Sequence, residues 1–528
     1  MTLRHAIEPG VILFILSAVI VLFSAARIER FAPAPDPFSP AGITPADRPD
    51  EGRSRAPERS GTASAKRNRI YNIARAVFFL VGLAAIGYSV FLVATQKVPS
   101  FSLESWLLGL ILCFIGMCFY SSFPWRLPRR RREIVELAFV IFLVALAVAS
   151  RFPHLSEIPA DVHGDEGAVG LEARRILTGT VVNLFGLGWA GLPELSFAPS
   201  ALTMRLFGDN LFGLRLASVI EGTASVVLIY GVAKRLFTTR VAVIAALILA
   251  TSQMAVHYSR IGNNYITALF VSLLFFYFLL RGLARDHPVD FLVAGYAAGM
   301  AVSVYYPARV TLVLGIVYVV HRAIGEREFL RRHRSGPLVL ALGFCVFFAP
   351  QVVQYVRDPM SAFLRTSSVF VLKPNNLGHE LNAYGVTTVG AVLWRQFVDS
   401  IGAFNLLGET SRQYGQQGPL FDFWSGALFV LGVALVTARP RSARYLLLAS
   451  WVWVSVIVES ALTVDAMFSP HVIAILAVTP ILPALILDLG WRGAAARFGA
   501  WGHRVAAVGA IAFVAATSYA NYVDYFVV

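Results

Sequence analysis

Long apolar runs separated by short polar loops set the pattern of residues along this chain. A run of about twenty apolar residues is long enough for a helix to cross a bilayer. The runs are continuous and do not alternate with polar residues, which favours helices over a barrel. The predicted spans cover residues 10–26, 72–94, 104–122, 134–150, 211–236, 239–256, 265–281, 289–304, 308–321, 337–354, 421–437, 444–460, 470–488 and 503–520. We therefore predict an all-α polytopic membrane protein with about 14 transmembrane helices.

Composition agrees with this pattern and narrows the classes of partner. The 528 residues are 57% hydrophobic and 14% charged, with a formal net charge of +14. Lys and Arg lie mostly in the loops between apolar runs, where retention of positive charge on the cytoplasmic side explains them. We expect the bilayer as a partner and no nucleic acid. The three cysteines fall within apolar runs, which indicates neither a disulfide framework nor a metal cluster.

Alternate loops differ in their arginine content, and this predicts the topology. The basic loops are 124–133, 234–240, 281–286, 321–334, 438–444 and 491–504. They fall on one side, which we predict to be the cytoplasm of a multi-pass protein in the cell membrane. The opposite loops are 151–210, 257–264, 305–307, 355–420 and 461–469. These outer loops include both long ones, and we expect short helices within them.

The chain divides into four predicted parts. Residues 1–29 are predicted to form a membrane anchor, with a signal peptide as the alternative. Residues 30–70 are rich in Pro, Ala, Ser and charge, which predicts a disordered cytoplasmic linker. Residues 71–132 are predicted to be an accessory transmembrane pair followed by the basic loop PWRLPRRRRE, and residues 133–528 the main membrane domain.

Two adjacent carboxylates, Asp165 and Glu166, stand in the first long outer loop within DVHGDEGAVGLEARRIL. They precede a helical pattern, so they are expected near a helix start, where the helix dipole favours negative charge. The spacing leaves two interpretations open. Either carboxylate could cap the helix, or the pair could perform acid–base chemistry.

Basic residues at the outer ends of spans make the chemical interpretation stronger. They are Arg215, Arg260, Arg309 and His471. Each arginine runs against the charge bias of the loops and is costly at membrane depth, so it should have an anionic partner. A single arginine could instead extend to the interface. Taken together with the acidic pair, the four predict a site that binds a phosphate near the bilayer surface and removes a proton beside it.

Several motifs along residues 133–528 resemble a known superfamily. They are HGDEG, RLFGDNLFGLRLAS, HYSRIGNN, YYPAR and a late PH pair. In this order, spacing and sidedness they resemble the GT-C membrane glycosyltransferases, and in particular the dolichyl-phosphate-mannose protein mannosyltransferases and aminoarabinose transferases.

The resemblance implies a fold, an activity and roles for residues. It implies a GT-C fold that transfers a sugar from a polyprenyl-phosphate donor to an extracytoplasmic acceptor, whether protein, lipid or glycan. Asp165 would be the general base, supported by Glu166. The donor phosphate would be bound by Arg215, Arg260, Arg309 and His471. Further substrate-binding candidates are His163, Tyr258, Asn264 and Tyr306.

No cofactor is expected. Metal-dependent relatives commonly carry a second acidic residue in the second outer loop, where this chain has Asn263, Asn264 and Tyr265. Catalysis without a divalent metal is therefore expected, although His163 beside Asp165 keeps metal binding open.

Two other functions would use similar residues. A polymerase or ligase of surface polysaccharide would share the lipid-phosphate geometry, and a flippase or transporter of lipid-linked sugars would also place basic residues near the membrane surface. A flippase should carry ionisable residues along a path through both leaflets. Here the charges gather at one face, which favours the transferase.

Overall fold

Helices make up nearly all of the regular structure. The computed structural model describes residues 61–96, 100–118, 130–409, 414, 418–466 and 468–527. In chain order, helices α1 to α19 are Gly61–Thr95, Ser100–Cys118, Arg131–Arg151, Gly164–Leu177, Ala198–Phe207, Leu211–Leu236, Thr239–Thr251, Gln253–Arg260, Tyr265–Arg285, Pro288–Ser303, Val310–Gly325, Phe329–Arg332, Gly336–Arg357, Leu364–Val369, Pro374–Tyr384, Val389–Gly402, Phe423–Thr437, Ala443–Val454 and Ile481–Phe526. Within these ranges β-structure is limited to two isolated bridges, Leu187 with Pro193 and Phe370 with Thr463.

Shorter helical turns complete the chain. The 3-10 turns are Trp189–Gly191, Glu194–Phe197, Tyr306–Arg309, Pro359–Phe363 and Ser469–Ala477, and Ser455–Ala461 is a π-helix. The prediction of an all-α polytopic membrane protein is confirmed, including the short helices in the long loops.

The predicted spans agree with the helices that the structure describes. Nine of the described helices are long and apolar enough to cross a membrane, or ten if the bent pair α7 and α8 is one span. Two more predicted spans correspond to the shorter apolar helices α10 and α17. The last two predicted spans lie in one continuous segment, Ser469–Phe526, whose chain direction changes at Gly499 with a φ of 56°. Span 10–26 lies outside the described residues, so the total of 14 stays a prediction.

The predicted disordered linker is corrected at its end. Its last residues, 61–70, are helical, because α1 begins at Gly61. Ala, Lys and Arg dominate this stretch and favour helix. They also extend an apolar helix that is already formed, so no new nucleus is needed. The rest of the linker and the first anchor lie outside the described residues.

The accessory pair α1 and α2 packs through small residues and contacts the main domain. A side chain at Gly109 would come within 2.8 Å of the Gly82 carbonyl oxygen, so glycine permits the close approach of these two helices. The indole nitrogen of Trp106 donates to the carbonyl of Phe347 in α13 at 2.9 Å. This contact joins the pair to the bundle.

The loops gather at two ends of the bundle, as the alternation of arginine-rich loops predicted. At one end, Arg260 donates to the Pro153 carbonyl at 2.7 Å, and the Val371 amide donates to the Leu462 carbonyl at 3.0 Å. At the other end, Arg240 pairs with Asp488 at 2.9 Å. We call the first, which holds residues 151–210, the site end, and the second the arginine end.

Candidate active site at the site end

Asp165 lies in the first turn of α4, and its carboxylate is held by tyrosines. The helix cap is His163, whose Nδ1 accepts from the Asp165 amide at 3.1 Å. The Asp165 carboxylate points elsewhere, and its Oδ2 accepts from the hydroxyls of Tyr265 at 2.5 Å and Tyr414 at 2.6 Å. The side chain is 28% exposed. The carboxylate is therefore oriented by two donors, stays accessible and does not cap the helix.

A cluster of tyrosines surrounds this carboxylate. Ring centroids of Tyr265 lie 4.5 Å from Tyr305 and 5.6 Å from Tyr414, and Tyr258 stacks on Tyr414 at 6.2 Å. Burial raises the pKa of Tyr414, and its hydrogen bond to Asp165 raises it further. Burial likewise raises the pKa of Tyr305, while the nearby Arg365 acts in the opposite direction. Both phenols therefore keep their protons at neutral pH, and Tyr414 can donate to the Asp165 carboxylate.

Glu166 has a different environment from its neighbour. Its two carboxylate oxygens accept from Arg215 Nε at 2.7 Å and Nη2 at 3.0 Å, and the Gly262 amide donates to it at 2.6 Å. Glu166 is 1% exposed and Arg215 is fully buried. A paired, hydrogen-bonded carboxylate of this kind fixes the start of α4 against α6 and the second outer loop.

Arg215 and Arg260 both anchor the turn that follows α3. Arg215 Nη1 also donates to the carbonyls of Leu155 and Pro159 at 2.9 and 3.0 Å. Arg260 donates to four carbonyls of the same turn, those of Arg151, Pro153, His154 and Ile158. Both residues are 0% exposed. In this geometry neither guanidinium has surface with which to contact a phosphate, contrary to what the motif pattern led us to expect.

Arg309 and His471 lie in a second group, in which Arg309 is partly exposed and His471 is buried. Arg309 is half-buried, stacks over Tyr306 at 4.2 Å and donates to the Ala362 carbonyl at 3.0 Å. The His471 ring lies 4.9 Å from the Phe468 ring, and its Nδ1 is 3.2 Å from the Thr463 hydroxyl.

The sequence analysis missed Arg365, which belongs with Arg309 and His471. It is half-buried and close enough to Tyr305 and His471 to influence the ionisation of both. It comes from the second long outer loop, where neither helical periodicity nor a motif distinguishes it. Its position in the site follows only from tertiary contacts.

The remaining substrate-binding candidates lie at different depths. Tyr258 is fully buried, and its hydroxyl is 2.6 Å from that of Ser469. The side-chain amide of Asn264 is also buried and reaches the Ser196 hydroxyl at 3.4 Å. Tyr306 is half-buried and donates to the Gly191 carbonyl at 3.1 Å, which joins the first outer loop to the third.

The sequence analysis also missed the acidic residue Glu409. Its Oε1 accepts from the Ser469 amide at 2.9 Å, while Oε2 is buried without a hydrogen-bond partner among the described residues. Burial raises the pKa of this carboxyl to about 7. It links Ser469 and Tyr258 to the loop that carries Tyr414.

Few side chains here could hold a metal ion. Across the described ranges, no group of three or more His, Cys, Asp and Glu side chains is arranged to do so. His163 and Asp165 lie close together, with His163 Nδ1 3.8 Å from Asp165 Oδ2. That nitrogen already caps α4, which leaves Nε2 as the coordinating atom.

Sequence comparison finds two relatives of part of the chain. Residues 195–353 match the family model described as dolichyl-phosphate-mannose-protein mannosyltransferase. A stretch of 182 residues is 26% identical to an undecaprenyl phosphate-alpha-4-amino-4-deoxy-L-arabinose arabinosyl transferase of Pseudomonas savastanoi pv. phaseolicola. That match covers 33% of this chain and 34% of the relative, so it spans about a third of the relative's length.

Structural comparison covers more of the chain. The crystal structure of ArnT from Cupriavidus metallidurans bound to undecaprenyl phosphate matches with a TM-score of 0.51 and 15% identity, over 74% of this chain and 75% of ArnT. Its apo state matches with a TM-score of 0.50 and 16% identity, over 74% and 76%. At this level of identity the likeness shows a common fold. Asp165 and Glu166 lie outside the residues that the family model matches.

Proposed function

Because this chain has the GT-C fold of the membrane glycosyltransferases that its motifs resemble, we propose that it transfers a sugar from a polyprenyl-phosphate donor to an acceptor hydroxyl. The acceptor is a protein, lipid or glycan outside the cytoplasm. One observation carries the proposal. A partly exposed carboxylate, Asp165, is held by two tyrosine hydroxyls at the end of the bundle away from the arginine-rich loops.

In the proposed reaction Asp165 is the general base. Both tyrosines donate to Oδ2, and Oδ1 makes no hydrogen bond among the described residues. Oδ1 accepts the acceptor's proton while the acceptor oxygen bonds to the anomeric carbon of the sugar. The bond between that carbon and the phosphate oxygen breaks, and polyprenyl phosphate leaves with the electron pair. General-base assistance of this kind contributes about 10²–10⁴-fold to a rate.

The leaving phosphate needs positive charge beside it, and we assign this role to Arg309 and Arg365. His471, whose side chain is buried, is assigned as a hydrogen-bond donor beside them. Preorganised donors that face developing charge stabilise the transition state. The two arginines are only partly buried, unlike Arg215 and Arg260, so they retain surface for a ligand. Arg215 and Arg260 become positioning residues that fix the turn and helix on which Asp165 stands.

We place the site end outside the cytoplasm and the arginine end inside. Loops rich in Lys and Arg are retained on the cytoplasmic side of bacterial and eukaryotic membranes alike. The donor phosphate would then lie at the outer bilayer surface, in reach of Arg309.

Transfer by the purified protein tests the proposal. A panel of radiolabelled polyprenyl-phosphate sugars, offered in turn with a cell-envelope extract, should include one whose label moves from the carrier to a protein, lipid or glycan product. A flippase would instead move the label across the membrane of proteoliposomes and leave the donor intact. Movement of the label across the membrane without consumption of the donor would overturn the proposed transferase activity.

A further inference from the structure

A polar pocket of about 240 Å³ opens at the arginine end, far from the site. Its lining comes from the ends of three membrane-spanning helices and the loop before α18. The residues are Leu236, Tyr318, His321, Arg322, Gly325, Glu326, Arg441, Ser442, Ala443 and Arg444. Leu236 and Gly325 are the last residues of their spans, and Ala443 is the first of its span. The pocket therefore lies at the depth where apolar helix gives way to polar loop, which is the headgroup level of a bilayer.

The pocket is positively charged after its internal pairing is counted. Arg322 pairs with Glu326 at 2.8 Å, which neutralises both. Arg441 and Arg444 make no ion pair with a carboxylate among the described residues, and His321 adds a titratable ring. Two arginines in one concave site therefore have no counter-ion among the residues that the structure describes.

Two aromatic rings contact the Arg444 side chain at the pocket. Its guanidinium lies 5.6 Å from the Phe237 ring and 5.5 Å from the Tyr445 ring. Its one described hydrogen bond, to the Leu236 carbonyl, is long at 3.4 Å. These ring contacts use none of its N–H groups, so most of the donors of Arg444 are left for a ligand.

We propose that this pocket binds a phosphate group, either in the headgroup of an anionic phospholipid or as a free anion. Paired guanidinium groups match the geometry of phosphate oxygens. Basic pockets between transmembrane helices on the cytoplasmic side are suited to anionic headgroups. Arginines that only set topology need not line a shared cavity, as Arg441 and Arg444 do here.

A phosphate bound in this pocket would stabilise the fold and leave the proposed sugar transfer unchanged. The pocket joins the end of α11 to the start of α18, two helices that pack against each other. A phosphate bridging Arg322 or His321 on one side to Arg441 and Arg444 on the other would hold these ends together. The proposal stands apart from the proposed function, because none of these residues belongs to the site end.

Thermal unfolding in a neutral detergent tests the pocket. Dioctanoyl phosphatidylglycerol, dioctanoyl phosphatidylcholine and inorganic phosphate would each be added to the purified full chain at fixed pH and ionic strength. A ligand that binds only the folded state raises the melting temperature, and we expect a rise of about 2 °C or more with phosphatidylglycerol and none with phosphatidylcholine. A rise with phosphatidylglycerol alone assigns the lipid headgroup, and an equal rise with inorganic phosphate assigns the free anion.

Variants decide whether the pocket is responsible. Arg441→Gln removes an exposed arginine of the pocket and should abolish most of the ligand-induced rise without changing the melting temperature of the free protein. Arg327→Gln is the matched control, since Arg327 is an exposed arginine at the same end but does not line the pocket. No rise in melting temperature with phosphatidylglycerol or with inorganic phosphate would overturn the proposal. An equal rise in wild type and Arg441→Gln would also overturn it.

Discussion

Two groups of charged residues lie at the site end, and they differ in how completely they are paired within the protein. Glu166, Arg215 and Arg260 are buried, and their partners are protein groups. Asp165, Arg309 and Arg365 are partly exposed. An ionisable residue at membrane depth suggests function by default. Under the proposed function, burial and pairing separate the residues that build the site from those that would meet a substrate.

Removal of Arg215 should have the largest effect. Arg215→Ala leaves the Glu166 carboxylate buried without its partner, and breaking a buried pair from one side costs about 3–5 kcal/mol. We expect the variant to be lost from the folded peak in fluorescence-detected size-exclusion chromatography. The double variant Glu166→Leu with Arg215→Met, which removes both charges, should recover folded protein.

A folded, stable Arg215→Ala protein with only its donor affinity reduced would return this residue to the phosphate site. Arg260→Ala is expected to behave like Arg215→Ala, because Arg260 is equally buried and anchors the same turn.

Loss of Arg365 should reduce activity and leave stability unchanged. Removing a group that stabilises developing charge typically costs about 10²–10³-fold in kcat. Arg365→Ala should therefore slow donor turnover by roughly this amount, and Arg365→Lys should recover part of it. Arg395→Ala, which changes an exposed arginine elsewhere in the same outer loop, serves as the control. Equal turnover in the two alanine variants would remove Arg365 from the phosphate site.

The tyrosines that orient Asp165 should contribute less. Tyr414→Phe removes one of two hydrogen bonds to Oδ2 and keeps the ring that packs on Tyr258. A net hydrogen bond to a charged group is worth about 1.5–3 kcal/mol, so turnover should fall by roughly 10–100-fold with little change in donor binding. Steady-state kinetics would separate the two, since an unchanged kcat with a raised KM would indicate a binding role for the hydroxyl.

The smallest expected effect is a pH dependence in the local stability of the first outer loop. Burial raises the pKa of Glu194 to about 7, with Glu172 adding to the shift and Arg175 opposing it. The folded state therefore binds a proton that the unfolded state has already lost between about pH 4.5 and pH 7. Local stability should decrease as the pH rises through this interval.

Hydrogen exchange measures this effect directly. After correction for the intrinsic rate, amides 186–193 should be better protected at pH 5.5 than at pH 8, and Glu194→Gln should flatten the difference. Glu409 also has a pKa raised to about 7 by burial, so the melting temperature of the whole protein would not isolate Glu194. An unchanged pH dependence in Glu194→Gln would show that another group controls the loop.

The fold was largely predictable from the sequence, because the bilayer imposes a length and a hydropathy on every span. Asp165 could be proposed from the sequence because it stands in a recognisable motif at the start of a helix, and its role stays a prediction. The role of Arg215 and Arg260 was not predictable, since a buried arginine and a ligand-binding arginine have the same pattern along the chain. Arg365 and Glu409 were missed because long loops carry no periodicity, and only tertiary contacts bring them to the site.

The central claim is that Asp165 takes a proton during sugar transfer. Asp165→Asn keeps the size of the side chain and its ability to accept from Tyr265 and Tyr414 but removes most of its basicity. Donor turnover should be measured in a folded preparation that still binds the donor, with Asp161→Asn, an exposed change in the same loop, as the control. We expect turnover to fall by about 10²–10⁴-fold with donor binding retained. Turnover within a few-fold of wild type would contradict the proposed role of Asp165.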